Sequence, residues 1–384
     1  MAEGGAPGRR VALCHEWLAA RHGSEKTFEA MAAALPAARL HSLTWKRDSG
    51  LDFGGRRVST TFLDHPLLRD RPRLWQLPLM PLAWRYASRE QFDLVVTSSH
   101  ACAKGFGPAR KSLHLCYCYT PMRYAWLSSV DQRRGRRPGR VTSAGERWLR
   151  SWDLASVAWV DEFAAISTSV RQRVQELYGR ASRVIHPPVD VDTFTPGPAV
   201  QAGGFALAVS RMVPYKRLDL AIRAAHLARH PLIVAGAGSE EGHLRALAAG
   251  LAADVRFVIE PTDAQLADLY RAADLVLFPP EEDFGIVPVE AQACGTPVVA
   301  YGRGGSLDTV VPGVTGVHVS DQDPDAFAAG MRTVLRGGLD PLACRRNAER
   351  FSATRFTDAF IDWVVDSGAA RGIEVDDPRR YESV

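Results

Sequence analysis

The feature that most restricts the fold of this chain is a double series of short apolar runs, each separated from the next by a longer Ala-, Leu- and Arg-rich stretch at helical spacing. Unbroken apolar runs of this length suit strands covered on both faces, and parallel pairing requires long helical connections between them. In the first half the expected strands are 11–14, 92–97, 113–117, 162–166 and 183–186, with helices over 25–35 and 168–178. In the second half they are 205–210, 232–236, 255–259, 275–278, 297–301 and 316–319. Between the series lies PPVDVDTFTPGPAVQAGG, rich in Pro and Gly and without apolar periodicity, so the chain breaks into two halves there. The length of 384 residues also exceeds what one core usually organises. The expectation is an α/β protein of two doubly wound, Rossmann-like domains facing a central cleft, with domains at 1–188 and 205–350, a linker at 189–204 and a C-terminal helix and tail at 351–384.

Several classes are excluded early. A formal charge of +4, from 47 Lys+Arg against 43 Asp+Glu, is too small for a chain that grips nucleic acid through its net charge. The six cysteines are scattered, and Cys116 and Cys118 are one residue apart, which suits neither a disulfide framework nor a metal site. No run of about 18 apolar residues occurs, so the chain reads as cytoplasmic and reduced. Charge is local: residues 123–150 carry eight Arg against Asp131 and Glu146, centred on RRGRRPGR at 133–140. That tract reads as a solvated loop, or as an attractor for an acidic acceptor or the inner face of a membrane. The apolar stretch LWQLPLMPLAWRY at 74–86 reads as a buried helix hairpin, with a membrane-seated or acceptor-binding patch as the alternative.

Two segments carry chemistry. In VLFPPEEDFGIVPVEAQACG an apolar strand ends in an acidic turn, and Phe284, Gly285 and Ile286 then open a helix. Gly285 allows close approach to backbone amides at a positive dipole end, which favours phosphate. Glu282 and Glu290 flank that point, and carboxylates accept hydrogen bonds from hydroxyls. An elongated ligand with phosphate at its middle and polyols at both ends fits: a nucleotide sugar. In FALAVSRMVPYKRLDLAI, Arg211 follows a strand at once and Lys216 comes five residues later, placing two cations where a diphosphate leaving group would be neutralised. The tract GAGSEEG at 236–242 departs from a dinucleotide loop in its third glycine.

The Glu282/Glu290 and Arg211/Lys216 spacings, with HEWL...HGSEK at 15–26, SSHACAKG at 98–105, CYCYTPMRYAW at 116–126 and HPPVDVDTF at 186–194, resemble the retaining, family 4, group 1 glycosyltransferases of GT-B fold. Within that family the chain is most similar to bacterial mannosyltransferase-like members. The resemblance implies that Glu282 contacts donor-sugar hydroxyls and Glu290 the nucleotide ribose. Arg211 and Lys216 would bind the diphosphate, the amides of Phe284, Gly285 and Ile286 would complete the donor site, and the loop at Gly23 and Ser24 would close over it. His15, His100 and Arg123 are the cleft or acceptor candidates. Relatives have a second glycine where this chain has His22, and His where it has Tyr119, so Tyr119 is expected to alter donor or acceptor preference. The resemblance further implies hexose transfer with retention to a saccharide, lipid-linked or small-molecule hydroxyl, no cofactor and no divalent metal, and a last helix crossing back to the first domain. The rivals are an inactive nucleotide-sugar-binding scaffold and a GT-B phosphorylase or epimerase; oligomeric state is left open.

Overall fold

The strand pairings among the described residues are all parallel, as the unbroken apolar runs require. The structure is a computed structural model and describes residues 10–126, 140–197 and 203–381. The first sheet holds β1 (Val11–His15), β2 (Arg39–Ser42), β3 (Val58–Thr60), β4 (Leu94–Ser99), β5 (Leu113–Cys118), β6 (Glu162–Ala165) and β7 (Ser182–Val184) in the order β3-β2-β1-β4-β5-β6-β7. The second holds β8 (Ala206–Val209), β9 (Leu232–Ala235), β10 (Val255–Val258), β11 (Leu275–Phe278), β12 (Val298–Tyr301) and β13 (Gly316–Val319) in the order β10-β9-β8-β11-β12-β13. Each sheet reverses its winding once, between β1 and β4 and between β8 and β11. Chains leaving such a point diverge to opposite faces and open a crevice at the carboxyl ends of the strands.

The chain divides into two units, the first from Met1–Ile166, Val170–Pro188 and Phe356–Val384, the second from Ser167–Ser169 and Val189–Arg355. From Val189 on, the described part of the Pro/Gly-rich stretch falls in the second unit. Arg345 donates to the carbonyls of Val191 at 2.6 Å and Phe194 at 3.0 Å, and Arg271 to that of Thr195 at 2.7 Å. The helix Ala353–Ala369 packs in the first unit almost from its start. Phe356 lies edge-on to Tyr117 at 5.9 Å, and Trp363 and Ser367 donate to Glu162 at 3.1 and 3.0 Å.

β2 and β3 are absent from the sequence expectation. Their sequences RLHS and VST are short and polar, and β2 is held by burial of Leu40 and the ring of His41 rather than by an apolar run. Residues 74–86 form two short helices, Arg73–Gln76 and Met80–Arg85, instead of a buried hairpin. Leu77, Met80, Ala83 and Trp84 enter the first unit's core, while Trp75, Leu79, Leu82 and Tyr86 stay exposed. Among the described residues no helix is long and apolar enough to cross a membrane. All six cysteines are buried and free. The arginine tract at 133–139 lies outside the described residues.

Candidate functional site

In the second unit β8 and β11 are neighbours, with Leu275 opposite Ala206, so the segments leaving their carboxyl ends rise from one edge of the sheet. After β8 the chain passes Ser210 and Arg211, makes a turn at Pro214–Lys216, and sets Arg217 in the left-handed region before the helix α1 (Leu218–Ala228). Lys216 Nζ is ion-paired with Glu282 Oε1, the two side chains being only 14% and 22% exposed. Arg211 extends from the same loop and donates from Nη2 to Tyr215 OH at 2.8 Å.

Gly285 precedes α2 (Ile286–Ala293) with φ of 86° and, as the N-cap residue, supplies no side-chain cap to the first amides of that helix. The positive φ favours glycine, and a Cβ here would also press on the Phe278 ring at 3.1 Å. The turn that carries Glu282 and Phe284 is fixed from outside by GRGGS after β12. Gly305 N donates to Glu282 O at 2.8 Å, and a Cβ on Gly305 would lie 2.1 Å from the Phe284 carbonyl oxygen. Glu290, one turn into α2, accepts from Tyr270 OH at 2.9 Å. Burial, then the Glu290 charge, push the Tyr270 phenol well up, so it stays a donor. The structure thus brings Lys216, Glu282, Phe284, Gly285 and Ile286 together with Glu290 one turn away, and places Arg211 on the adjoining loop. Sequence reasoning missed the Gly304-Gly305 clamp and Tyr270; the paired glycines directly after a strand were the available signal. The glycines of GAGSEEG serve the same loop rather than a dinucleotide, since Cβ atoms on Gly236 and Gly238 would lie 2.0 and 2.4 Å from the carbonyl oxygens of Ser210 and Met212.

The first unit carries its own set. His15 ends β1 opposite Ser98 of β4, Tyr119 follows β5, and Ser24 lies in the first turn of the helix Gly23–Ala34. Tyr119 OH donates to the Ser24 carbonyl at 3.0 Å, and since a carbonyl only accepts, the phenol proton is committed there. The Ser98 hydroxyl donates to Tyr119 OH at 3.0 Å, which commits its single hydrogen too. His15 Nδ1, 3.0 Å from Ser98 Oγ, must therefore be the protonated nitrogen, leaving Nε2 as a bare acceptor that is buried and without a hydrogen-bond partner. Burial, then the nearby His100 ring, hold His15 well below the ordinary histidine range, and burial pushes the Tyr119 phenol up. His100 lies 5.8 Å from His15 and 6.0 Å from Tyr119, ring to ring. Arg123 opens the single helical turn Arg123–Trp126 and is exposed. His22 has an extended backbone, φ −101°, so the second glycine of the family loop is not needed at that position.

This chain of hydrogen bonds gives a test. Nitrogen NMR of the wild type should show a neutral His15 ring protonated on Nδ1, the tautomer that the Ser24–Tyr119–Ser98 chain imposes. Protonation on Nε2 would contradict the relay.

Two buried polar groups that sequence reasoning missed hold the loops around this set. The Glu16 carboxylate accepts from the amides of Ala101 and Ala103, both at 2.8 Å, and from Ser99 Oγ at 3.1 Å. Lys104 is ion-paired with Asp153, whose other oxygen accepts from Trp126 Nε1 at 2.6 Å and Tyr178 OH at 2.7 Å. Burial alone would lower the Lys104 pKa, but Asp153 holds it well above the usual lysine value. The SSHACAKG motif is thus a scaffold for the loop after β4. Among the described residues, no group of three or more His, Cys, Asp or Glu side chains could hold a metal ion.

Two family models divide the chain between them: Glycosyltransferase Family 4 matches residues 21–193, and Glycosyl transferases group 1 matches residues 198–351. The chain belongs to the family 4, group 1 glycosyltransferases. It is 39% identical over 235 residues to a D-inositol 3-phosphate glycosyltransferase of Geodermatophilus obscurus, a match spanning 53% of this chain and 52% of that protein. To the protein of the same name from Mycobacterium tuberculosis it is 39% identical over 205 residues, 46% of this chain and 42% of the other. The chain thus spans about half the length of the curated relatives it matches. Among solved structures, Anabaena HepE in complex with UDP and glucose matches 92% of this chain and 99% of its own at a TM-score of 0.69 and 18% identity. Sucrose-phosphate synthase from Thermosynechococcus elongatus matches 97% and 98% at 0.68 and 19%. At these identities the likeness shows the fold, and this family 4 chain has the GT-B architecture of two parallel-sheet, Rossmann-like domains.

Proposed function

We propose that this family 4 chain is a retaining glycosyltransferase that moves a hexose from a nucleoside diphosphate sugar to an acceptor hydroxyl without a divalent metal. The observation that carries the reading is the Lys216–Glu282 pair beside the start of α2 at Gly285. Lys216 and Arg211 neutralise the departing diphosphate, and the first amides of α2 donate to its oxygens at a positive dipole end. Glu282 accepts from sugar hydroxyls, and Glu290, braced by Tyr270, accepts from the ribose. Arg211, Lys216 and the helix start together offset the charge of the leaving group in place of a divalent metal, and a leaving-group oxygen can take the acceptor proton on the face the diphosphate vacates, which would give retention. In the first unit, Gly23 and Ser24 contribute the donor loop, and His15, His100 and Arg123 serve the acceptor. Tyr119 acts through Ser24 and His15 rather than through the donor itself.

The names of the matched relatives make a phosphorylated cyclitol an acceptor to try, the HepE complex makes UDP-glucose a donor to try, and the resemblance to mannosyltransferases adds GDP-mannose. The test is product analysis with labelled donors, saccharide, lipid-linked and cyclitol acceptors, and excess EDTA. Transfer with retained anomeric configuration is expected. Abolition by EDTA would overturn metal independence; free sugar nucleotide epimer or phosphate-dependent release would favour an epimerase or phosphorylase.

A further inference from the structure

The short helices at 66–86 present large apolar side chains to solvent on the side opposite the core. Leu63, Leu77, Met80 and Trp84 anchor the segment in the first unit's core. Yet Trp75, Leu67 and Tyr86 are 78%, 73% and 66% exposed, and Leu79, Leu82 and Phe62 are exposed with them. Trp75 belongs to the first short helix, Leu82 to the second and Leu79 and Tyr86 to its two ends, and the turn holding Phe62 packs against the helix Met80–Arg85, so one short segment of the first unit carries all of these exposed side chains. Six large apolar side chains exposed within 25 residues of sequence mark an interaction surface.

Charge identifies what the face meets. Residues 62–89 contain five Arg, at 69, 71, 73, 85 and 89, no Lys, and only Asp64 and Asp70 as acids. Asp64 is neutralised by Arg69 at 2.9 Å, while Arg71, Arg85 and Arg89 are exposed and the Arg85 guanidinium stands 5.6 Å from the Tyr86 ring centroid. Exposed Trp, Tyr and Leu together with exposed Arg is the composition that settles at the boundary of acyl chains and anionic headgroups.

We propose that the Phe62–Tyr86 face seats this chain on an anionic lipid bilayer. It goes beyond the proposed transfer reaction by supplying the surface on which a lipid-linked acceptor would be met, and its test does not depend on activity. The full chain is sedimented with vesicles of phosphatidylcholine alone and of phosphatidylcholine with phosphatidylglycerol. Wild type should pellet with the anionic vesicles, release at high salt, and stay in solution with neutral ones. The surface variant Trp75→Ser/Leu82→Ser should lose about tenfold in binding, and Arg71→Gln/Arg85→Gln/Arg89→Gln should lose the preference for anionic lipid, each with an unchanged thermal melt. Absence of wild-type binding, or equal binding by the Trp75/Leu82 variant, overturns the proposal. So does a dimer abolished by the same two substitutions, which would assign the face to a second copy.

Discussion

Replacing Lys216 by alanine is expected to lower turnover by about 10²–10³-fold while leaving the fold intact. The ammonium lies at the carboxyl edge of the second sheet, held by Glu282 three residues before Gly285. A fixed cation aimed at a leaving diphosphate stabilises charge that develops in the transition state, so its loss falls on kcat and kcat/KM together. Because the pair is mostly buried, the substitution also leaves the Glu282 carboxylate without this cation, so a thermal melt alongside the kinetics separates any loss of stability from the loss of turnover. Glu282→Ala should show a loss of the same order, since it removes both the carboxylate proposed to accept from donor-sugar hydroxyls and the ion-pair partner of Lys216. Steady-state kinetics with the productive donor checks both, and near-normal rates in either variant would remove that residue from the reaction.

Acidification is expected to destabilise the first unit. Burial, the largest cause for both, lowers His41 and His114 from 6.5 to about 4, and His15 is lowered as well. In the unfolded chain these rings take up protons near pH 6.5, whereas the folded chain resists until about 4. Stability is therefore present at neutral pH and drains away as pH falls from about 6.5 towards 4, by up to about 3 kcal/mol for each of His41 and His114. Domains are stable by about 5–15 kcal/mol in total, so the melting temperature should fall steeply over that window. His41 is the cleanest probe: both its ring nitrogens are buried without partners, and its ring packs against Phe92 and Phe106. His41→Phe should flatten the pH dependence of melting, and a profile identical to wild type would assign the acid sensitivity elsewhere.

Much of the second unit was legible in the sequence because its strands are unbroken apolar runs and the turns of its candidate site are marked by charge and glycine. Strands 275–278 and 316–319 fall where the apolar runs fall, and Arg211, Lys216, Glu282 and Gly285 are set by local chain direction. What escaped depends on contacts distant along the chain. No local pattern shows that Gly305 must approach the Phe284 carbonyl, that Tyr270 braces Glu290, or that Glu16 caps the amides of Ala101 and Ala103. Residues 74–86 misled for a related reason: high apolar content is compatible with burial on both sides, and only packing shows that one side is left exposed.

The account rests on a pyrophosphate cradle in the second unit, and calorimetric titration of the full chain with UDP and GDP in EDTA tests it most directly. At least one nucleoside diphosphate should bind wild type, Lys216→Ala should weaken that binding by about tenfold or more, and the corresponding nucleoside should bind poorly to both. Equal affinity of wild type and Lys216→Ala for the diphosphate, or no binding of either nucleotide, would contradict it.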